Sequence, residues 1–300
     1  MCHYYTLNYY PERGMKKNFT LTAAVLMAAS TYANTGFKYA LRDSTAVIEL
    51  NKQAFSSRLV NPGQTVNGAG KALDISRQIN YVRGLAESNR VIGVGYYYLD
   101  KQSKAITHYI TALNYFEQLK DLFGQGKVYN NIGNLYRYLD SRLSLDFYGR
   151  SLAIALKTTD NEQAAGIYNS MGMVYYHQKS FTKALRYYSK SNALYTSLND
   201  SVNMLQCAQN TGNIHLALHQ YDQAEPYLVR ACAAAKKLYM NEAVVVITYS
   251  LAQTYIGLDK FKQAEKTIRE GIKYASFTRN NKLSKDFEAL KRQMEQKRRI

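Results

Sequence analysis

The side chains able to do chemistry are few along this chain, and their spacing argues against catalysis. His215 and His219 stand at i and i+4, where two imidazoles on one helix can hold a metal ion, but the glutamate that makes such a pair hydrolytic is missing. Gly68-Ala69-Gly70-Lys71 has the composition of a phosphate loop without its Walker spacing, its following Ser or Thr, or a preceding strand, and reads as a turn. Ser180 to Lys183 satisfies S-x-x-K, yet it falls in a turn where Ser180 is better placed as a helix cap. Cys2, Cys207 and Cys232 have no metal spacing. Cys207 and Cys232 flank one expected hairpin, so a bridge is geometrically open, while a pair of small buried thiols is the plainer reading. No paired carboxylates and no nucleophile motif can be placed. The chain is expected to be no enzyme, with no metal and no cofactor.

The elements that position everything else show in a repeat. A small residue, an aromatic three later and a second small residue about twelve later recur as Gly93/Tyr96/Ala105, Gly133/Tyr136/Ser144, Gly172/Tyr175/Ala184, Gly212/His215/Ala224 and Ala252/Tyr255/Ala264. The first positions are 40, 39, 40 and 40 residues apart, a period that marks stacked supersecondary units. Each unit is long enough for two amphipathic helices and a turn. The turns are expected at Asp100-Lys101, Asp140-Ser141, Lys179-Ser180 and Asp259-Lys260, whose short side chains could accept from the free amides of the next helix. Only three prolines interrupt the chain, so the fold is expected to be all-α: an α-solenoid of antiparallel helix hairpins. Six hairpins are read over about 43–79, 81–120, 121–158, 161–197, 200–238 and 240–278, with an irregular turn at Asn61 to Gly70 in the first and one residue missing around Arg142 in the third. The stripe Leu283, Phe287, Leu290 and Met294 predicts a helix over 279–300 that caps the last hairpin; a dimer seam or membrane contact is the other use such a stripe could have.

The spacing of small residue, aromatic and alanine resembles the tetratricopeptide repeat, in the longer variety of bacterial regulators and kinesin light chains, over about residues 43–278. Tyr221 to Ala231 approaches that family's phrase YxxAexxyxrA, although the family's tryptophan is absent. The resemblance implies a right-handed superhelix with a concave groove lined by the first helix of each hairpin. It assigns to that groove the stripe at offsets −3, +1 and +4 from each repeat glycine: Arg90, Val94, Tyr97; Asn130, Asn134, Arg137; Asn169, Met173, Tyr176; Gln209, Asn213, Leu216; Tyr249, Gln253, Ile256. The expected partner-binding residues are Arg90, Asn130, Asn134, Arg137, Asn169, Tyr176, Gln209, Asn213 and Gln253. Asparagine is a poor mid-helix residue, so its recurrence needs a reason. Side-chain amides can clamp the backbone of an extended peptide and the two arginines can hold a carboxylate. A ladder of asparagines linking neighbouring helices is the alternative.

The formal charge of +17 attracts acidic partners, but the basic residues are scattered and only 281–300, with seven basic and three acidic side chains, is dense. From Met15 the chain reads two lysines, an apolar stretch from Phe19 to Ala29 and small residues to Ala33, the layout of a secretory signal peptide, which makes residues 1–14 an extension before a second start. The apolar stretch is short for a membrane span. The expected function is therefore an exported, periplasmic or secreted scaffold that holds a peptide or protein partner, as the sensory or recruiting part of a regulatory system. Nucleic acid is not an expected partner; self-association through the last helix is open. A cytoplasmic regulator of a kinase or transcription factor is the alternative, should residues 15–33 not be a signal.

Overall fold

The computed structural model describes residues 44–299, and the segments read as an extension and a signal peptide lie outside them. Thirteen helices and no strand occur among the described residues: α1 (Ser44–Ser56), α2 (Pro62–Gln78), α3 (Val82–Tyr98), α4 (Gln102–Gln118), α5 (Leu122–Tyr136), α6 (Ser141–Lys157), α7 (Asn161–His177), α8 (Phe181–Ser197), α9 (Ser201–Ala217), α10 (Tyr221–Lys237), α11 (Asn241–Gly257), α12 (Phe261–Phe277) and α13 (Asn281–Lys297). They fall into two compact units, divided between Ile167 and Tyr168 inside α7. In the first, α1 to α5 each pack on the next, α5 packs on α6, and first helices touch across hairpins as α1 on α3 and α3 on α5. In the second, α8 to α13 pack consecutively, with α9 on α11 and α11 on α13. Each is an all-α stack of antiparallel hairpins.

The repeat glycines carry this packing. A Cβ on Gly93 would stand 2.6 Å from the Tyr109 ring, on Gly133 2.6 Å from Tyr148, on Gly172 2.6 Å from Tyr188 and on Gly212 2.7 Å from Leu228. Each glycine is a notch that receives the large side chain of its partner helix. In the last hairpin the pair is Ala252 with Ile268, smaller than the three tyrosines, both buried in one cluster. The second small residue of every unit, Ala105, Ser144, Ala184, Ala224 and Ala264, is fully buried, and Ser144 turns its Oγ to the Gly133 carbonyl at 2.8 Å.

Helix ends follow one rule. Seventeen-residue helices are joined by three-residue connections, and among the described residues ten non-glycine residues, Asn80, Asp100, Lys120, Thr159, Lys179, Asn199, His219, Tyr239, Asp259 and Arg279, sit at φ 53–57°. Each closes the helix before it: Lys101 N bonds Tyr96 O at 2.9 Å while Asp100 N bonds Tyr97 O at 3.1 Å, the paired bonds of a Schellman end. Asp100 and Asp259 therefore terminate the preceding helix and do not cap the next one. Of the four expected turn caps, Asp140 does that work, accepting from Arg142 N and Leu143 N, whereas Ser180 makes no side-chain cap bond. Asp121, Asp160 and Asp200 cap in the same way. The residue missing from the third hairpin is absorbed before Arg142: α5 has 15 residues, the connection 137–140 has four, and no left-handed residue is needed.

Two further expectations are corrected. The irregular turn is at residues 57–61, since Asn61 caps α2 by accepting from Gln64 N and Pro62 opens it. Gly68 to Lys71 lies inside that helix. On α13, Phe287, Leu290 and Met294 are buried in one cluster against α11 and α12, with Leu283 packed on it, so the stripe is a cap and its apolar side chains face inward. Lys297 secures it through Ile256 O at 2.9 Å and Asp259 at 2.7 Å.

Candidate functional site

The first helices present the polar stripe, and within each unit its members divide into side chains already held by the protein and side chains that are not. In the first unit Arg90 is 6% exposed and grips Glu87 with both branches, Nε to Oε2 at 2.9 Å and Nη2 to Oε1 at 2.6 Å, with its guanidinium 5.2 Å from the Phe55 ring. Burial pushes the Glu87 carboxyl up, but the guanidinium outweighs it and holds the group below the usual carboxylate range. Arg137, 4% exposed, donates to Tyr148 Oη from Nε at 3.2 Å and Nη2 at 3.1 Å, and to Asn134 Oδ1. Tyr148 Oη donates to the same amide oxygen at 2.7 Å. Both arginines thus bind side chains of their own protein. Tyr97 stands edge-on to Tyr98 at 5.1 Å, and burial pushes its phenol up to about 12 against the opposing pull of Arg137.

In the second unit Asn169 Oδ1 accepts from Asn210 Nδ2 at 3.1 Å, a rung between α7 and α9. Tyr176 lies against Phe181 at 5.7 Å, and Gln209 and Gln253 are half-buried. Val94, Met173 and Ile256 are core residues, each under a tenth exposed. Asn130 and Asn213 differ from all of these. The Oδ1 atom of each is buried without a hydrogen-bond partner, although both residues are half-buried as a whole.

Other sequence candidates resolve into local contacts. His215 Nδ1 pairs with Gln220 Oε1 at 2.9 Å and His219 Nδ1 with Tyr221 Oη at 2.8 Å, and no group of three metal-binding side chains gathers among the described residues. Cys207 and Cys232 are free and buried, Cys207 against Ser191 Oγ at 3.4 Å and Cys232 against Thr248 Oγ1 at 3.9 Å. No described helix is long and apolar enough to cross a membrane.

The hairpins carry a further feature that the sequence did not disclose. The aromatic three after each repeat glycine stacks on a ring of the second helix: Tyr96 on His108 at 5.5 Å, Tyr136 on Phe147 at 6.1 Å, Tyr175 on Tyr187 at 5.2 Å, His215 on Tyr227 at 5.7 Å. Cations lie over these rings, Arg150 on Phe147, Lys190 on Tyr187 and Arg230 on Tyr227, each three residues beyond the ring it covers. That i, i+3 spacing was the available signal, and it gives part of the basic excess a structural role.

Residues 163–237 match the family model of the tetratricopeptide repeat. No curated protein matches the chain. Three solved structures of similar fold cover nine-tenths or more of it. A signal transduction ATPase with numerous domains and a tetratricopeptide repeat sensor, from Pyrococcus horikoshii, shares 15% identity over 91% of this chain and 43% of its own, with a TM-score of 0.69. This chain therefore spans less than half of that protein. The apo quorum sensor NprR from B. thuringiensis shares 15% over 90% and 76%, with a TM-score of 0.64. A Rap protein complexed with competence and sporulation factor shares 12% over 94% and 89%, with a TM-score of 0.61. At such identities the likeness is one of fold.

Proposed function

We propose that this chain, a tetratricopeptide-repeat protein, is a non-catalytic scaffold that holds a peptide or protein partner along the first-helix stripe, outside the cytoplasm, as the sensory or recruiting part of a regulatory system. The observation that carries the reading is the pair of unpartnered amide oxygens of Asn130 and Asn213 on that stripe. A buried acceptor without a donor costs ~1–3 kcal/mol, and although Asn51, Thr65, Asn131 and Gln163 also bury an unpartnered polar atom, Asn130 and Asn213 are the two on the stripe. A rotation about χ2 turns either oxygen outward, where the N–H of an extended peptide supplies the missing donor. Asn134 and Asn169 serve the protein's own stability on this reading, because Arg137, Tyr148 and Asn210 already use their oxygens. Neighbours of the same fold include a quorum sensor and a Rap protein in complex with a factor, which supports a recruiting role. Export rests on the lysine, apolar and small-residue order of residues 15–33.

Affinity capture from envelope and cytoplasmic fractions of the native host tests it, comparing the intact protein with an Asn130→Ala, Asn213→Ala variant. The expected result is a partner in the envelope fraction that is lost with the variant, whose melting temperature is unchanged or raised. Identical capture by both proteins would overturn the stripe, and a partner found only in the cytoplasmic fraction would overturn the compartment.

A further inference from the structure

Within the second unit, α8, α9 and α10 line a half-open cavity of about 310 Å³ that shares no residue with the polar stripe. Its size is at the lower end for cavities that hold small molecules, roughly 300–1,000 Å³. The repeat explains why it is there. Four residues before the repeat glycine stand Tyr129 in the third hairpin and Tyr168 in the fourth. Each lays its ring beside the second-helix aromatic, Tyr129 against Phe147 at 6.1 Å and Tyr168 against Tyr187 at 6.1 Å. In the fifth hairpin that position is Ala208, while the aromatic it should meet, Tyr227, is still in place. One residue before the glycine, where Ile132 and Met171 stand in the two preceding hairpins, the fifth has Thr211. Both truncations open toward the same cavity, which Ala208, Thr211, Tyr227, Leu185 and Tyr188 line. The cation is retained as well. Lys190 lies 5.2 Å from the Tyr168 ring and 5.8 Å from the Tyr187 ring, so it covers the built pair. Forty residues later Arg230 lies 5.5 Å from the Tyr227 ring, at the rim of the cavity.

We infer that this cavity is a binding site for a small aromatic carboxylate, whose ring takes the place that Tyr129 and Tyr168 fill in the third and fourth hairpins. Tyr227 supplies the stacking face and Leu185 the apolar wall. Arg230 approaches from the open side as Lys190 does over Tyr168. No carboxylate lies among the lining residues, so the guanidinium favours an acid on the ring substituent over a neutral or cationic one. The hydroxyl of Thr211 replaces an apolar side chain at the cavity wall and offers the ring substituent a hydrogen-bond partner.

The full chain is titrated with 4-hydroxyphenylacetate, p-cresol and N-acetyl-tyrosinamide by ligand-observed NMR and calorimetry. The acid is expected to bind most tightly. Ala208→Tyr, which rebuilds the ring of the fourth hairpin, is expected to weaken the acid more than tenfold while keeping the helical spectrum. Should that variant not fold, Thr211→Met, carrying the residue that stands at 171, closes the same cavity and is expected to have the same effect. Arg230→Gln is expected to weaken the acid about fivefold and leave p-cresol unchanged, the scale of an exposed ion pair. No saturation transfer to any of the three probes at millimolar concentration would overturn the site, as would unaltered affinity in the filled variants. Equal affinity for the acid and N-acetyl-tyrosinamide would overturn the carboxylate assignment and point to a partner's aromatic side chain.

Discussion

Replacing Gly93 with Ala tests whether the notches hold the hairpins together. The new Cβ would lie 2.6 Å from Cδ1 and Cε1 of Tyr109 and 3.2 Å from the Ala105 carbonyl oxygen. An ordinary contact needs nearly 1 Å more, and Tyr109, 1% exposed, has no open space to retreat into. Overpacking of this kind costs roughly 1–3 kcal/mol, while Ala in place of Gly inside a helix returns about 0.8–1.0 kcal/mol. The net expectation runs from about no change to a loss of about 2 kcal/mol, below the gain expected at an uncrowded glycine. Gly149→Ala in α6 is the control in the same unit. No atom lies within 4 Å of its Cβ, so only the propensity remains and a gain of about 0.5–1 kcal/mol is expected. The last hairpin shows how the clash is relieved, since Ala252 is there matched by Ile268. Gly93→Ala combined with Tyr109→Ile is therefore expected to be more stable than the two single losses sum to, by a coupling of about 1 kcal/mol. Urea titrations followed by far-ultraviolet circular dichroism read all four variants. A Gly93→Ala protein as stable as Gly149→Ala, or strictly additive losses in the double variant, would refute the notch.

The left-handed connections make a second prediction: Thr159, a β-branched residue at φ 54°, should gain about 0.5–1 kcal/mol on replacement by Gly, whereas Asn80→Gly at φ 53° should gain almost nothing, because asparagine tolerates that conformation. Equal shifts in melting temperature would count against strain at Thr159. A third concerns the buried thiols. Burial pushes Cys207 up to about 11, against a smaller lowering by the Ser191 hydroxyl, so the native protein should resist iodoacetamide at Cys207 at pH 8.5 and react once unfolded in urea. The raised value means that the folded chain keeps a proton that the unfolded chain gives up near pH 9. The stabilisation is present below that pH and is lost as pH rises through 11, by roughly 2–3 kcal/mol. A Cys207→Ala variant should lose less stability between pH 9 and 11 than the parent; parallel curves would remove the thiol from the account.

The repeat period was enough to lay out the hairpins, because burial of Gly93, Ala105 and their equivalents forces small residues to recur at fixed spacing. Helix ends were harder. Asp100 looks like a cap for the helix after it and is instead the left-handed residue that ends the one before, a choice made by backbone φ and not by side-chain type. Asn61-Pro62 was a legible helix start hidden among nearby glycines. Arg90 and Arg137 were read as groove residues from helical register alone, but a register says only which way a Cα points. A long guanidinium then reaches Glu87 in one case and, in the other, Tyr148 on the neighbouring helix, which periodicity cannot reveal. The cavity beside Tyr227 escaped for a different reason: the position four before the repeat small residue varies, being Asn89, Tyr129, Tyr168, Ala208 and Thr248, and no period marks where its ring is lost.

The connection at 137–140 shows how such a chain can lose a residue without losing its architecture. The deletion shortens one helix, dispenses with one left-handed turn, and leaves the spacing on either side at its usual 40. Within each unit a hairpin leans mainly on its immediate neighbours, so a change in length is settled within a few residues of where it arises. Lineages carrying this array can therefore drift in length at single turns, or by whole hairpins, far more freely than a protein built around one closed core, and new pockets such as the one at Ala208 can open in one hairpin while its neighbours keep their packing.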